Sequence, residues 1–226
     1  MVSPVPRLSV PDQVFEQLRG AILSGVYGPG ERLPPQRALA GEMEVNMASV
    51  REALKRLEQL RLVEVRHGDA TRVLDWRRSG GLEALLLGGA MGAPFARDLF
   101  EARRLLLVEA ARLAAQRRSG EQAQQLRELA EAVERADEPG VRLAGDWAFM
   151  AALVEAAGNL VFQLIMNSVR ELYLERADAF TALVSPRERL GGLYARAAGA
   201  VERQEAEEAA QALEELASAQ AALMVG

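Results

Sequence analysis

Between Asn46 and Leu74 the hydrophobic spacing changes from a helical to an alternating one. Val50, Leu54 and Leu57 recur at i, i+4 and i+7 while Arg51, Lys55, Arg56 and Gln59 fall on the other side, which predicts an amphipathic helix with a basic outer face. Its start carries two signals. Asn46 is a good N-cap and Ser49-x-x-Glu52 is an alternative capping box, so the register of the first turn stays open. Leu62 to Arg66 and Thr71 to Leu74 then alternate around the turn-forming His67-Gly68-Asp69-Ala70, which predicts a hairpin. Upstream, Pro11 to Ser24 places Val14, Leu18, Ala21 and Ile22 on one stripe, and Gly28-Pro29-Gly30 makes a bent connector. Pro35 to Glu42 is a short second helix, with Leu39 and Ala40 apolar and a Glu44-Val45 turn after it. Three helices followed by a hairpin predict a winged helix-turn-helix.

Beyond it the pattern is helical throughout. Residues 1–74 form the expected first domain, 75–81 a linker that Trp76 can anchor, and 82–226 an all-helical domain. A short apolar stretch, Leu82 to Ala90, precedes a long helix over Phe95 to Arg118 with Leu99, Leu106, Ala110 and Leu113 on one side. Further helices are expected over Glu121–Asp137, Val141–Ala157, Asn159–Leu183, Pro186–Arg203 and Ala206–Leu223. The breaks between them are Gly120, Pro139-Gly140, Gly158-Asn159, Ser185-Pro186 and Gln204-Glu205. The expected fold class is therefore mostly α: a winged helix-turn-helix with a small β-hairpin, then an antiparallel bundle of six or seven helices. Alanine at many inward positions lets those helices approach closely.

Charge sharpens the division. The net charge of −5 hides 12 Lys+Arg against 10 Asp+Glu up to Arg78, net +2, and 15 against 22 beyond it, net −7. A slightly basic head on an acidic body suits a nucleic-acid reader joined to something else. With no cysteine there are no disulfides or thiol chemistry, and no apolar run approaches a membrane span, so a cytoplasmic protein without membrane partners is expected. No catalytic constellation is visible: the single histidine lies in the wing and no nucleophile motif occurs, so the chain reads as no enzyme.

For DNA, the first turn of the basic helix supplies the candidate readers Asn46, Met47, Ala48 and Ser49, with Arg51 reaching a base or phosphate. Arg37 is placed to hold the backbone, and His67 with Gly68 at the wing tip suits a minor groove. A solvated helix face and a plain turn are the alternative reading of the same residues.

The run Pro29-Gly30-x-Arg32-Leu33-Pro34-x-x-Arg37-x-Leu39-Ala40, followed by Val50-Arg51-Glu52-Ala53-Leu54-x-x-Leu57, closely resembles the GntR family of bacterial transcription regulators. The long helical half resembles that of the FadR branch, at Trp76 with Ser79-Gly80-Gly81-Leu82, at Gly158-Asn159 and at Leu164-Ile165-Met166-Asn167. The resemblance implies a homodimer that binds a pseudopalindromic double-stranded operator and a small effector held in the helical half. It implies DNA contacts at Arg37, Ser49, Arg51, His67 and Gly68. Met47 departs from it, since the family usually has arginine there.

Many members of this branch hold a metal through one aspartate and three histidines. Asp146 matches the aspartate in Asp-x-x-Phe, but Met150, Tyr194 and approximately Leu216 stand at the histidine positions, so no metal and no cofactor is expected. Asp146 then reads as a polar pocket residue or as a cap before Trp147. Arg103 matches an arginine that the resemblance places in the cavity; its partner is an effector anion, Asp146, or an acidic helix residue such as Glu155 or Glu175. Tyr173 and Tyr194 add hydroxyl donors or serve as core. The resemblance suggests a fatty acyl-CoA as effector, with Leu153, Phe162, Ile165, Met166 and Val169 lining a tunnel. Ala217, Gln220 and Met224 replace the branch's ligand-side glycine, serine and tryptophan, which counts against CoA recognition and leaves a smaller organic acid, or no effector, as the other readings. An effector-independent DNA-binding protein with a structural bundle is the alternative.

Overall fold

The computed structural model describes residues 9–65, 70–81, 92–175, 180–185, 190 and 192–225, and the chain divides into two compact units, residues 1–90 and 91–226.

In the first unit, helix α1 spans Val10–Leu23, α2 Gln36–Glu42 and α3 Met47–Gln59. Ser9 caps α1 in a reciprocal box with Asp12, and the stripe Val14, Leu18 and Ile22 is buried together with Phe15. That face packs on α3, whose Val50, Ala53, Leu54 and Leu57 are buried. Between α2 and α3, Glu44 adopts φ 53°, a left-handed residue that turns the chain sharply.

The wing is built from β1, Val63–Glu64, and β2, Arg72–Val73, antiparallel with Val63 opposite Val73. The connector also joins it. Gly30 N–H donates to Val73 O at 2.8 Å, Val73 N–H to Glu31 O at 2.9 Å and Leu33 N–H to Thr71 O at 2.9 Å, so residues 30–33 form a third short edge. Gly30 sits at φ +86°, a backbone conformation that costs glycine nothing, and this lets the bent connector turn into the sheet. The hairpin tip, including His67 and Gly68, lies outside the described residues.

Asp75 to Ser79 lies within the expected linker. Trp76–Ser79 forms a helical turn, α4, capped by Asp75, with the Arg77 guanidinium 4.3 Å from the centroid of the Trp76 ring. The short apolar stretch expected at Leu82–Ala90 lies outside the described residues.

The second unit contains α5 (Gly92–Arg117), α6 (Gly120–Arg135), α7 (Pro139–Ala156), α8 (Leu160–Glu175), a 3-10 turn (Thr181–Val184), α9 (Leu193–Glu202) and α10 (Ala206–Val225). Of the helix expected over Asn159–Leu183, α8 forms Leu160–Glu175 and the last residues belong to the 3-10 turn Thr181–Val184; residues 176–179 lie outside the described residues. The capping signals explain the other ends. Ser119 makes a capping box with Gln122 at the start of α6, and Asn159 Oδ1 accepts from Val161 N–H at 3.0 Å and Phe162 N–H at 3.3 Å.

The buried face of α5 is Phe100, Leu107, Ala110, Ala111, Ala114 and Ala115. Leu99, Leu106 and Leu113 are only half-buried, because the helix packs on α7, α9 and α10 and its contact face is broader than one stripe. Ala197, Ala198 and Ala200 of α9 and Ala209 and Ala212 of α10 are buried in the same core, so small side chains bring these helices close. Gly145 does the same for α7 on α6: a Cβ there would meet Val133 Cγ2 at 2.9 Å.

Candidate DNA-reading surface and effector centre

At the start of α3, Asn46 is the N-cap, and its Oδ1 accepts from Ser49 N–H at 2.8 Å and from Ser49 Oγ at 3.2 Å. This decides the register left open by the sequence. Ser49 is buried with its hydroxyl turned back to the cap, so it is placed to build the first turn rather than to reach out from it. Asn46, Ala48 and Arg51 are exposed and Met47 is half-buried. Arg37 is exposed on α2, and Arg51 Nε donates to Gln36 Oε1 at 3.4 Å, a long bond linking the two helices of the motif.

The basic face of α3 is smaller than its spacing suggests. Arg56 Nη1 lies 2.6 Å from Asp12 Oδ1 and its guanidinium 4.1 Å from the centroid of the Phe15 ring, so this arginine ties α3 to α1. Hydrogen bonds from Ser9 and Arg56 hold the Asp12 carboxyl below its ordinary range. Glu58 is likewise structural, accepting Val65 N–H at 2.9 Å and fastening the helix to the wing.

In the second unit, Arg103, Asp146, Tyr173 and Tyr194 meet at one point. The Tyr194 hydroxyl donates to Asp146 Oδ1 at 2.6 Å and the Tyr173 hydroxyl to Oδ2 at 2.7 Å. Arg103 Nη2 reaches Oδ2 at 3.4 Å. A fifth residue joins them. Gln220 Nε2 donates to Asp146 Oδ1 at 2.8 Å and to the Tyr194 hydroxyl oxygen at 3.0 Å, while Gln220 Oε1 accepts from Arg103 Nη1 at 2.7 Å. One carboxylate thus gathers α5, α7, α8, α9 and α10.

The local reasons are readable. Asp146 continues the buried stripe of α7 one turn before Phe149 and Met150, and Gln220 continues the α10 stripe of Leu213, Leu216 and Ala217. A glutamine on an otherwise apolar stripe was the signal for this fifth member. Aromatic packing sets the hydroxyls: Tyr194 meets Phe149 edge-on at 5.3 Å, and Tyr173 stacks on Phe180 at 5.2 Å and lies 5.0 Å from Trp147. Burial, reinforced by the Asp146 charge, raises both tyrosine hydroxyls far above their ordinary range, so they remain protonated donors. Arg103 and the buried Arg142 oppose that rise at Tyr194. Arg142 donates to the carbonyls of Ala136, Asp137 and Val184, fixing the entry to α7.

This donor set does not fit a metal ion. A carboxylate offers about four lone-pair positions, and proton donors take four at Asp146. Of the three positions in question, Met150 and approximately Leu216 hold buried apolar side chains, and Tyr194 holds a hydroxyl that donates to Asp146. Among the described residues no group of three His, Cys, Asp or Glu is placed to hold a metal.

A winged helix-turn-helix with an exposed helix start, together with a helical domain built around a buried polar centre, is the architecture of a ligand-responsive transcription regulator. Residues 11–73 match the family model of bacterial regulatory proteins of the gntR family, and residues 98–219 match the FCD domain. The regulator Mce2R of Mycobacterium tuberculosis is 37% identical over 224 residues, 96% of this chain and 93% of that protein. LutR of Bacillus subtilis is 31% identical over 68% of this chain and 71% of that protein. The solved structure of Lar, which controls expression of the Listeria monocytogenes agr system, shares the fold with a TM-score of 0.64 at 15% identity, covering 97% of this chain and 98% of that chain. The chain belongs to the GntR family of transcription regulators, with a GntR DNA-binding domain and an FCD effector domain. It is a DNA-binding regulator and not an enzyme. Among the described residues no helix is long and apolar enough to cross a membrane.

Proposed function

We propose that the protein acts in the cytoplasm as a homodimer on a pseudopalindromic operator, each α3 reading a half-site, and that a small organic carboxylate held in the second unit modulates that binding. Two-fold pairing follows from the reading mode, because two recognition helices one helical turn apart suit an inverted repeat. Within each half-site Asn46, Met47 and Ala48 face the bases, Arg51 and Arg37 the backbone, and His67 and Gly68 the minor groove, while Ser49 supports the turn. The observation that carries the DNA reading is the exposed start of α3 on its Asn46 cap. Operator selection from random duplexes followed by titration tests it: Arg51→Ala is expected to weaken binding to every sequence and to lower the salt slope by about 1. An unchanged slope removes the backbone role.

For the effector, the supporting observation is the Arg103, Asp146, Tyr173 and Tyr194 cluster, a polar centre in which the half-buried Arg103 guanidinium, a group of five N–H donors, meets Gln220 and Asp146 among the described residues. The favoured ligand is a small carboxylate rather than a fatty acyl-CoA, since Gln220 and Met224 stand where the branch's ligand-side residues would be. The tunnel residues divide: Leu153 and Met166 are buried core, and Phe162, Ile165 and Val169 are half-buried. Arg103→Met is expected to abolish the rise in melting temperature that a carboxylate gives the wild-type chain, measured across a panel of carboxylates and CoA thioesters. A thioester effect that survives Arg103→Met favours the acyl-CoA instead.

A further inference from the structure

Resting on that effector reading, we propose that Gln220 is the built-in occupant of the anion position on Arg103, so that a small organic carboxylate binds without a metal by taking Arg103 from the Gln220 carbonyl. Arg103 holds two unequal acceptors. Gln220 Oε1 is close to Nη1 at 2.7 Å, whereas Asp146 Oδ2 is distant from Nη2 at 3.4 Å. The shorter bond of a half-buried guanidinium is thus spent on a neutral amide oxygen. A carboxylate in that place makes charge-assisted and bidentate bonds, roughly twice as strong as neutral ones.

Access points the same way. The Arg103 side chain is 18% exposed, while Asp146 is 1%, Tyr194 1% and Gln220 0% exposed. A ligand therefore arrives at Arg103 and not at Asp146. It also has no reason to meet Asp146, whose lone pairs are filled by donors and whose charge repels another anion.

The exchange has a structural consequence. Gln220 Nε2 remains held by Asp146 and Tyr194, so its carbonyl, once released, is a buried acceptor without its donor. Such a group costs about as much as a lost hydrogen bond, and relief requires the side chain to turn or α10 to shift. Gln220 is in this sense a positioning residue. It sets which ligands win Arg103 and carries their arrival into the last helix, which packs along α5 and α9.

Calorimetric titration of the full chain with acetate and with octanoate, each with EDTA and with added Zn²⁺, tests this. Wild type is expected to bind at least one of them equally with and without metal. Gln220→Met keeps the shape, removes the competing carbonyl, and is expected to bind about tenfold tighter. Arg103→Met is expected not to bind. In the wild-type chain, which needs no substitution to fold, the Gln220 side-chain amide resonance is expected to move on saturation. An unmoved resonance, an unchanged or weaker Gln220→Met, binding that requires Zn²⁺, or no binding to either wild type or Gln220→Met overturns the proposal. Undiminished binding by Arg103→Met overturns the effector reading beneath it as well.

Discussion

The two units spend their polar residues in opposite ways. In the winged helix the exposed groups at the start of α3 face solvent, while the buried Ser49 and the more exposed Arg56 and Glu58 bond within the unit and build the scaffold. In the helical unit several surface arginines pair with acidic neighbours, as Arg104 does with Glu214 at 2.6 Å and Arg196 with Glu215 at 2.6 Å, and the distinctive chemistry is buried. A reader of DNA needs donors on its outside, where phosphates and base edges are met. A domain that senses a small ligand needs them inside, where low dielectric makes each hydrogen bond count.

Breaking the buried centre gives the largest expected effect. Asp146→Ala leaves two tyrosine hydroxyls, the Gln220 amide and Arg103 without their shared acceptor, and about 3–5 kcal/mol of stability is expected to be lost. Segment-resolved hydrogen exchange on the full chain should place that loss in residues of the second unit; an equal loss across α1 to α3 would contradict the contrast drawn above. On the DNA side, Met47→Arg supplies a bidentate partner for guanine, and about 1–3 kcal/mol of new discrimination at one operator position is expected. Binding to single-base operator variants measures it, and a flat profile would mean that residue 47 does not meet a base.

A smaller effect tests the close packing of α6 and α7. Gly145→Ala gains up to about 1 kcal/mol of helix propensity, but its Cβ would lie 2.9 Å from Cγ2 of the buried Val133, and overpacking costs about 1–3 kcal/mol. The net expectation is destabilisation by about 1 kcal/mol in chemical denaturation; a stabilised variant would show that Val133 can move aside.

The smallest effect lies at Asp12. Its carboxyl is held below the ordinary value of 3.8 by Ser9 and Arg56, so its contribution is complete above that value and fades as pH falls through the depressed one. The difference in melting temperature between wild type and Asp12→Asn should therefore be largest at neutral pH and shrink in acid. A difference that grows in acid would reverse the assignment.

Much of the first unit was legible because its signals are local. Asn46, Pro11 and Gly28-Pro29-Gly30 punctuate elements whose apolar residues recur at helical spacing, and such patterns describe a helix and its solvent face directly, whereas the Ser9–Asp12 box that starts α1 emerged only from the structure. Arg56 misled, since spacing placed it on the outer face while Asp12 and Phe15 of another helix drew it in. The third edge of the wing, residues 30–33, was read as a bent connector because sheet pairing joins residues distant in the chain. In the second unit the break at Gly158-Asn159 marked the start of α8, but nothing in the spacing distinguished the 3-10 turn at Thr181–Val184 from α-helix.

The sequence by itself determined the division into a basic reading head and an acidic helical body, the basic helix with its cap, and the absence of histidines from residues 82–226. These follow from composition and from periodicities of a few residues. Only the tertiary structure decided which polar groups act together: it turned Ser49 inward, gave Arg56 to Asp12, and brought Arg103, Asp146, Tyr173, Tyr194 and Gln220 into one hydrogen-bonded centre. Those five lie as far as 117 residues apart, and the pairing of Arg103 with Gln220 is set by how five helices pack, a quantity that no local pattern encodes.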